Sequence, residues 1–374
     1  MDNESRTLSR EERRDWLRLI RSENVGPATF RSLIERYGSA AKAIDAAPEL
    51  SRRGGKKRAI HIIPEFEAED EISIVEEHGG TLIALCEPDY PQSLSTIHDP
   101  PPIVQVLGDT SLLNKPSIGI VGARNASAAG RVFAREIAGA LGKEGLIVAS
   151  GLARGIDTAA HEGALESGTI AVVAGGIDIV YPRENEPLYE NIVQSGAIIS
   201  EQPFGTTPTA RHFPPRNRLI SGLSFGVLVV EAALRSGSLI TARMALEQGR
   251  EVFSVPGSPR DPRHKGTNGL LRDGATLTET TQDIISQISP MLKTVQASLN
   301  FVKPLPTVPK ELPENETSEA RDHVYGMLGP VAVSIDELLR ECQLSPAVVL
   351  TVLLELELAG RLERHPGNLV SLIS

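Results

Sequence analysis

An arginine-rich stretch, ARHFPPRNRLISGLS at residues 210–224, carries side chains that suit the binding of a polyanion. Three arginines, a histidine and an asparagine surround two adjacent prolines and a phenylalanine. No acidic residue occurs from position 202 to position 230, although the chain of 374 residues has a net charge of -10. Arginine donates paired hydrogen bonds to phosphate oxygens, and its plane stacks on bases. The stretch therefore predicts a surface for phosphate or nucleic acid.

The same arginines have a second possible role, which is structural. Glu201 and Glu231 flank the acid-free stretch and could pair with them to hold the sheet edge. Residues 117–280 contain equal numbers of basic and acidic side chains, so this segment lacks the acidity of the rest of the chain. Local field steers a polyanion more than net charge does, which favours the binding role.

Short apolar runs alternate with helix-like segments from residue 118 onwards. The predicted strands are 118–122, 146–150, 169–176, 197–201, 226–232 and 251–257. Near-continuous apolar strands separated by helices indicate a parallel sheet that is covered on both faces. With right-handed crossovers, the pattern predicts an α/β fold with an extended, Rossmann-like, doubly wound sheet.

Ligands of such sheets bind beyond the carboxyl ends of the strands. Glycine, serine, arginine and lysine follow the predicted strands, at 122–125, 150–154, 175–176, 235–238 and 256–265. Small residues let backbone N–H groups approach a phosphate, and each helix N-terminus adds about half a positive charge. The stretch at 210–224 follows the fourth strand and should lie at the same rim.

The motifs of common nucleotide-dependent and hydrolytic enzymes are missing. The first turn reads GIVGARNASAAG rather than G-x-G-x-x-G, and no acidic residue follows Ser150 and Gly151 to hold a ribose. Walker A, H-E-x-x-H and Ser/His/Asp patterns do not occur. Asp157 and His161 lie on one helix face at metal-ligand spacing, but a structural hydrogen bond is favoured because no third ligand is evident. No catalytic residue, metal or cofactor is predicted.

The remaining sequence suggests four further regions. Residues 1–85 read as a helical domain that resembles a SAM or helix-hairpin-helix domain. Within it, NVGPATFRSLIERYGS fits a helix-hairpin-helix, but a small helical bundle with a Gly-Pro turn is favoured. Residues 86–116 read as an irregular connector with one strand at 103–107, and residues 290–317 as a proline-rich linker.

Residues 318–374 show the order of a winged helix, with three helices followed by two short strands. A winged helix usually reads DNA with its third helix. Here that helix, PAVVLTVLLELELAG, has no Lys or Arg and carries Glu355 and Glu357. A protein contact is therefore favoured over DNA binding.

Three features of the sequence predict a cytoplasmic protein. Cys86 and Cys342 lie far apart, which argues against a disulfide framework. The first residues, MDNESRTLSREERRDW, show no signal-peptide pattern, and the apolar runs are too short to span a membrane.

Several motifs between residues 117 and 280 resemble those of the DprA/Smf family of DNA-processing proteins. They are VGAR, SGLARGIDTAAHEGAL, GGIDIVYPRENEPLYENI, FPPRNRLISGLS, EAALRSGSLITARMALEQGREVFSVPG and GTNGLLRDGA. The resemblance implies a helical N-terminal domain, an extended Rossmann domain and a C-terminal winged helix. It also implies a non-enzymatic, cytoplasmic protein that binds single-stranded DNA, protects incoming DNA during natural transformation and loads a RecA-type recombinase. Dimerisation through the Rossmann domain is expected as well.

By motif, the resemblance places the DNA site on 124, 150–151, 216–218 and 236–238. Flanking arginines and a lysine are included because they can bind phosphates, and a phenylalanine because a base can stack on its ring. The predicted DNA-binding residues are Arg124, Ser150, Gly151, Arg154, Arg211, Phe213, Arg216, Asn217, Arg218, Ser236, Gly237, Ser238 and Lys265. An alternative is a nucleotide-binding enzyme, since phosphoribohydrolases use a related sheet. Their P-G-G-x-G-T motif is replaced here by RSGSLITA.

Overall fold

The computed structural model describes residues 6–298, 314–365 and 367–373. The chain forms two compact units. One unit comprises residues 71–303 with the short segment 3–7, and the other combines residues 8–70 with residues 304–374. Within the described residues, no helix combines the length and apolarity needed to cross a bilayer.

The secondary structure is as follows. The helices are α1 (Arg10–Arg21), α2 (Pro27–Tyr37), α3 (Ala40–Arg53), α4 (Glu65–Glu77), α5 (Gln92–Ser95), α6 (Ala128–Lys143), α7 (Ile156–Ala164), α8 (Glu186–Ser195), α9 (Phe213–Leu223), α10 (Gly237–Glu247), α11 (Lys265–Arg272), α12 (Thr281–Ser298), α13 (Glu314–Met327), α14 (Ile335–Glu341) and α15 (Pro346–Leu358). The strands are β1 (Gly80–Ala84), β2 (Ile103–Gly108), β3 (Ser117–Val121), β4 (Ile147–Ser150), β5 (Thr169–Val172), β6 (Ala197–Ser200), β7 (Gly226–Val229), β8 (Glu251–Ser254), β9 (Thr276–Leu277), β10 (Val333–Ser334), β11 (Leu362–His365) and β12 (Leu369–Leu372).

The larger unit is built on a sheet with the strand order β1-β2-β6-β5-β4-β3-β7-β8-β9. Pairing is parallel from β6 to β9, so all six predicted strands are present and the doubly wound fold is confirmed. The strand order reverses between β3 and β7. In this fold class, a crevice for ligands opens at that switch point.

Two apolar layers cover the sheet. Leu219, Leu223 and Ala242 from α9 and α10 pack on one face, together with Val121 of β3. Helices α6, α7 and α12 cover the other face, where Ile120 of β3 points. Neighbouring strand residues therefore enter opposite layers, as the two-residue period of a strand requires. Burial of the large aliphatic side chains contributes about 1.5–3 kcal/mol each.

Residues 80–108 correct the prediction of a helical region up to 85 followed by an irregular connector. Strand β1 pairs antiparallel with β2, and β2 pairs antiparallel with β6, so both extend the central sheet. Gly79 has a φ of 73°, which lets the chain turn after α4 directly into the apolar run of β1. The prolines between the two strands obscured this hairpin-like pairing in the sequence.

The predicted linker at 290–317 is helical at its described ends. Helix α12 continues to Ser298, and α13 begins at Glu314. The proline-rich residues 299–313 lie outside the described residues. A separation between the central domain and the winged helix within this segment stays a proposal.

The second unit contains the winged helix in the predicted order. Helix α14 follows Ser334, and the Ser345 side chain accepts a hydrogen bond from the backbone of Val348 at the start of α15. Strands β10, β12 and β11 form its small antiparallel sheet. Proline at the first helical position and serine before it are signals that sequence carries locally, which is why this region was predictable.

Candidate nucleic-acid interface

A cleft of about 650 Å³ opens at the switch point between β3 and β7. Its walls come from the turn after β3, the start of α9 and the turn between β7 and α10. Seven of the predicted residues line it: Arg124, Phe213, Arg216, Asn217, Ser236, Gly237 and Ser238. The sequence thus brought these seven residues to one edge of the sheet, because parallel strands end on the same side.

Arg124 and Phe213 form an arginine–aromatic wall of the cleft. The Arg124 guanidinium carbon lies 5.1 Å from the centre of the Phe213 ring. The same ring lies 5.8 Å from the centre of the Tyr181 ring and 5.8 Å from the guanidinium carbon of Arg216. Arg124 is exposed and Phe213 half-buried, so both keep contact with solvent. The plane of an arginine and the face of an aromatic ring are both flat surfaces on which a nucleic-acid base can stack.

The start of α10 supplies an open helix N-terminus to the same cleft. The Ser236 side chain caps the helix by accepting from the Ser238 backbone at 3.4 Å. A Cβ built on Gly237 would meet nothing within 4 Å, so the backbone there is accessible to a ligand. Exposed Arg235 adds a cation beside it, and Arg263 lines the cleft as well. Neither arginine was among the predicted site residues, although Arg235 directly precedes the SGS turn.

Arg216 lines the cleft at its buried base and braces it. Its side chain is only 6 % exposed, and Nη1 donates to the carbonyl oxygens of Gly151 (2.6 Å) and Val172 (2.7 Å). A Cβ on Gly151 would lie 2.1 Å from that nitrogen, so glycine is needed there for space. Burial lowers the pKa of Arg216 to about 10. Its Nε atom has no hydrogen-bond partner among the described residues.

Arg218 takes the structural role that the sequence left open as an alternative. It is 8 % exposed and makes an ion pair with Glu201, and its Nε lies 3.3 Å from Asp99 Oδ2. Arg218 does not line the cleft. We therefore propose that Arg218 supports the fold rather than contacting a ligand.

Glu231, the other flanking acid, occupies a helix N-terminus. It is 1 % exposed and accepts a hydrogen bond from the Ser127 backbone at 2.9 Å, at the start of α6. A carboxylate at this position satisfies the partial positive charge of the helix. The N-terminus of α6 is therefore filled from within the protein, whereas that of α10 remains open.

The other predicted residues lie outside the cleft lining. Ser150 is buried and donates to the carbonyl of Ile120 at 2.6 Å. Exposed Arg154 pairs with Glu184. Arg211 and Lys265 are exposed, on the turn before α9 and at the start of α11. DNA contacts by Arg211 and Lys265 stay proposals. For Arg154 we propose instead that the pairing with Glu184, outside the cleft, leaves it little part in DNA binding.

Asp157 and His161 are engaged by the chain itself. The backbone N–H of Gly151 donates to Asp157 Oδ2 at 3.1 Å, and that of Leu152 donates to His161 Nε2 at 3.3 Å. His161 Nδ1 lies 2.8 Å from Thr169 Oγ1, and burial lowers the pKa of His161 to about 3. In the part of the chain that the structure describes, no group of three or more His, Cys, Asp or Glu side chains could hold a metal.

Burial also raises the pKa of Asp157 from 3.8 to about 6, even though Arg216 acts in the opposite direction. The folded protein therefore binds this proton more tightly than the unfolded chain. Protonation of Asp157 therefore stabilises the folded state. This stabilisation is fully present below pH 3.8 and is lost as the pH rises through about 6. We expect Asp157→Asn to flatten that part of the profile of melting temperature against pH. Parallel profiles for the wild type and the variant would contradict the assignment.

Comparisons with known proteins agree with this architecture. The sequence model of the family described as "DNA recombination-mediator protein A" matches residues 81–289. Models described as "DprA-like N-terminal HHH domain" and "DprA winged helix domain" match residues 10–73 and 308–368. The match of the N-terminal model supports a helix-hairpin-helix at residues 10–73 and corrects the preference for a plain helical bundle.

Individual relatives cover most of the chain. Protein Smf of Escherichia coli (strain K12) is 38% identical over 317 residues, which span 83% of this chain and 82% of that protein. The DNA processing protein DprA of Bacillus subtilis (strain 168) is 43% identical over 215 residues, which span 57% and 72%.

Two solved structures share the fold. DprA from Streptococcus pneumoniae superposes with a TM-score of 0.56 at 38% identity, over 60% of this chain and 78% of that one. DprA from Helicobacter pylori, described for its unique single-stranded DNA binding mode, gives 0.52 at 31% identity, over 57% and 96%. With its three matching domains and these relatives, the chain belongs to the DprA/Smf family of DNA-processing proteins.

Proposed function

We propose that the protein binds single-stranded DNA in the cleft between β3 and β7. The observation that carries this proposal is that exposed Arg124 and half-buried Phe213 lie together beside the open N-terminus of α10. Phosphates would take the arginines and the backbone N–H groups, and a base would stack on the ring. The relative from Helicobacter pylori, which is described as binding single-stranded DNA, supports the same ligand class.

The wider role that we propose is DNA processing in the cytoplasm during natural transformation. The protein would protect incoming single strands and load a RecA-type recombinase onto them, without catalysing a reaction itself. The family membership supports this role. The alternative, a phosphoribohydrolase-like enzyme, would need a catalytic glutamate in the turn after β7, where the sequence instead reads RSGSLITA.

We also propose that the larger unit forms a homodimer. Strand β9 has only two residues and pairs with β8 on one side, with no strand described on the other. Leu277 on β9 and Leu246 on α10 each leave half or more of their surface exposed. Apolar side chains near an open sheet edge favour pairing with a second copy. Measurement of the molar mass in solution tests the proposed homodimer, for which twice the mass of one chain is expected.

Single strands should bind more tightly than duplex of the same sequence, because the cleft offers a stacking surface that only unstacked bases can reach. Affinity should fall steeply with salt, because each phosphate contact releases counterions. For a single strand, each contact adds about -0.7 to the slope of the logarithm of the binding constant against the logarithm of the salt concentration. Fluorescence anisotropy at several salt concentrations measures both effects. Equal affinity for the two forms at matched salt, or hydrolysis of nucleoside monophosphates in a parallel assay, would overturn the proposal.

A further inference from the structure

Helix α15, the third helix of the winged helix, is buried on two opposite faces. One face packs into the core of its own module through Val349, Val352 and Leu356. The opposite face carries Val348, Thr351, Leu354 and Leu358, and these side chains are buried too. A helix that is apolar all round needs a partner on each side. The winged-helix core accounts for only one of them.

The N-terminal helical module, residues 8–70, covers the second face. Arg36 on α2 donates from Nη1 to Thr351 Oγ1 at 3.0 Å. At the end of α15, the carbonyl of Leu358 accepts from Asn24 Nδ2 at 3.1 Å and from Ser51 Oγ at 3.2 Å. These bonds join residues more than 300 positions apart in sequence and complete the capping of the helix.

Gly54, which follows α3, shows how closely the two modules approach. A Cβ at this position would lie 1.9 Å from the carbonyl oxygen of Glu355. The φ of Gly54 is -70°, so any residue could adopt its backbone conformation. Glycine is therefore required for space alone. The Gly54 carbonyl in turn accepts from Arg361 Nη1 at 3.2 Å.

The acidic residues of α15 are neutralised inside the winged helix. Glu355 pairs with Arg321 (Nε to Oε2, 2.6 Å), and Glu357 pairs with Arg364 (Nε to Oε2, 2.9 Å). Glu355 is 1 % exposed. This helix has no Lys or Arg of its own to meet a phosphate. The face suits a protein surface rather than DNA.

We infer that the N-terminal helical module is the partner of the winged helix. It occupies the face of α15 that a winged helix inserts into the major groove. In this docked state the winged helix does not read DNA. It instead joins residues 8–70 to the C-terminal module, and the two form one compact unit.

The test is to cut the full-length protein at a protease site introduced within residues 304–313 and to follow the C-terminal fragment by size-exclusion chromatography. We expect the fragment to co-elute with the rest of the chain. In Gly54→Ala, it should elute separately. A wild-type fragment that separates on cutting, or a Gly54→Ala fragment that remains bound as in the wild type, would overturn the inference.

A matched control separates undocking from misfolding. Gly326→Ala makes the same change within α13, where a Cβ meets nothing within 4 Å, so its fragment should stay bound. Hydrogen exchange on the uncut proteins adds a second measurement. Amides of α15 should exchange about ten-fold faster or more in Gly54→Ala, while those of β3 to β8 should be unchanged, as expected for loss of a local contact. Global loss of protection would show unfolding, and unchanged protection of α15 would contradict docking.

Discussion

Arg218→Ala is expected to lower the free energy of unfolding by about 3–5 kcal/mol, the usual cost of removing one partner of a buried ion pair. The variant leaves Glu201, whose side chain is 14% exposed, without the guanidinium that it pairs with in the native protein. It also removes the nearby cation from Asp99. Urea denaturation of the isolated protein measures the loss.

Arg211→Ala provides the control for this experiment. Arg211 belongs to the same arginine-rich stretch but is exposed, so its removal should change stability by no more than about 0.5 kcal/mol. If Arg218→Ala instead unfolds like the wild type and fails to bind DNA, Arg218 contacts the ligand and the structural role proposed for it is wrong.

The double variant Arg124→Ala, Phe213→Ala should lower the affinity for single-stranded DNA by about 100-fold or more. A hydrogen bond to a charged group contributes about 1.5–3 kcal/mol, and stacking of one base contributes about 1–3 kcal/mol. Both side chains reach solvent at the cleft. The Phe213 ring also lies 5.8 Å from the guanidinium carbon of Arg216, so melting temperature should fall slightly, and only in the variants that lack Phe213. Anisotropy titrations of the wild type, both single variants and the double variant give the two contributions and their coupling.

Arg154→Ala is the matched control for DNA binding. Arg154 is an exposed arginine of the same unit that pairs with Glu184 and does not line the cleft. We expect its removal to cost little affinity. A loss as large as that of the double variant would show that DNA runs along a different surface. A double variant that binds normally would exclude the Arg124–Phe213 wall from the site.

Much of this protein follows from local sequence. Apolar runs such as those of β3 and β7 predict buried parallel strands, and parallel strands place the turns that follow them at one edge. That reasoning places Arg124 and the turn at 236–238 at one edge, where both line the cleft. Serine and proline at the start of α15 predicted the winged helix for the same reason, since a helix cap depends on adjacent residues only.

Only the tertiary structure shows which arginines line the cleft and which pair within the fold. Arg216 and Arg218 stand two residues apart on α9, yet one braces carbonyl oxygens at the base of the cleft and the other pairs with Glu201. Their burial and their partners depend on strands that are distant in sequence, so composition around them could not separate the two roles. The same holds for α15, whose apolar sequence indicated burial without naming the N-terminal module that covers it. A side chain's type sets what it can bind, and long-range packing sets what lies close enough to be bound.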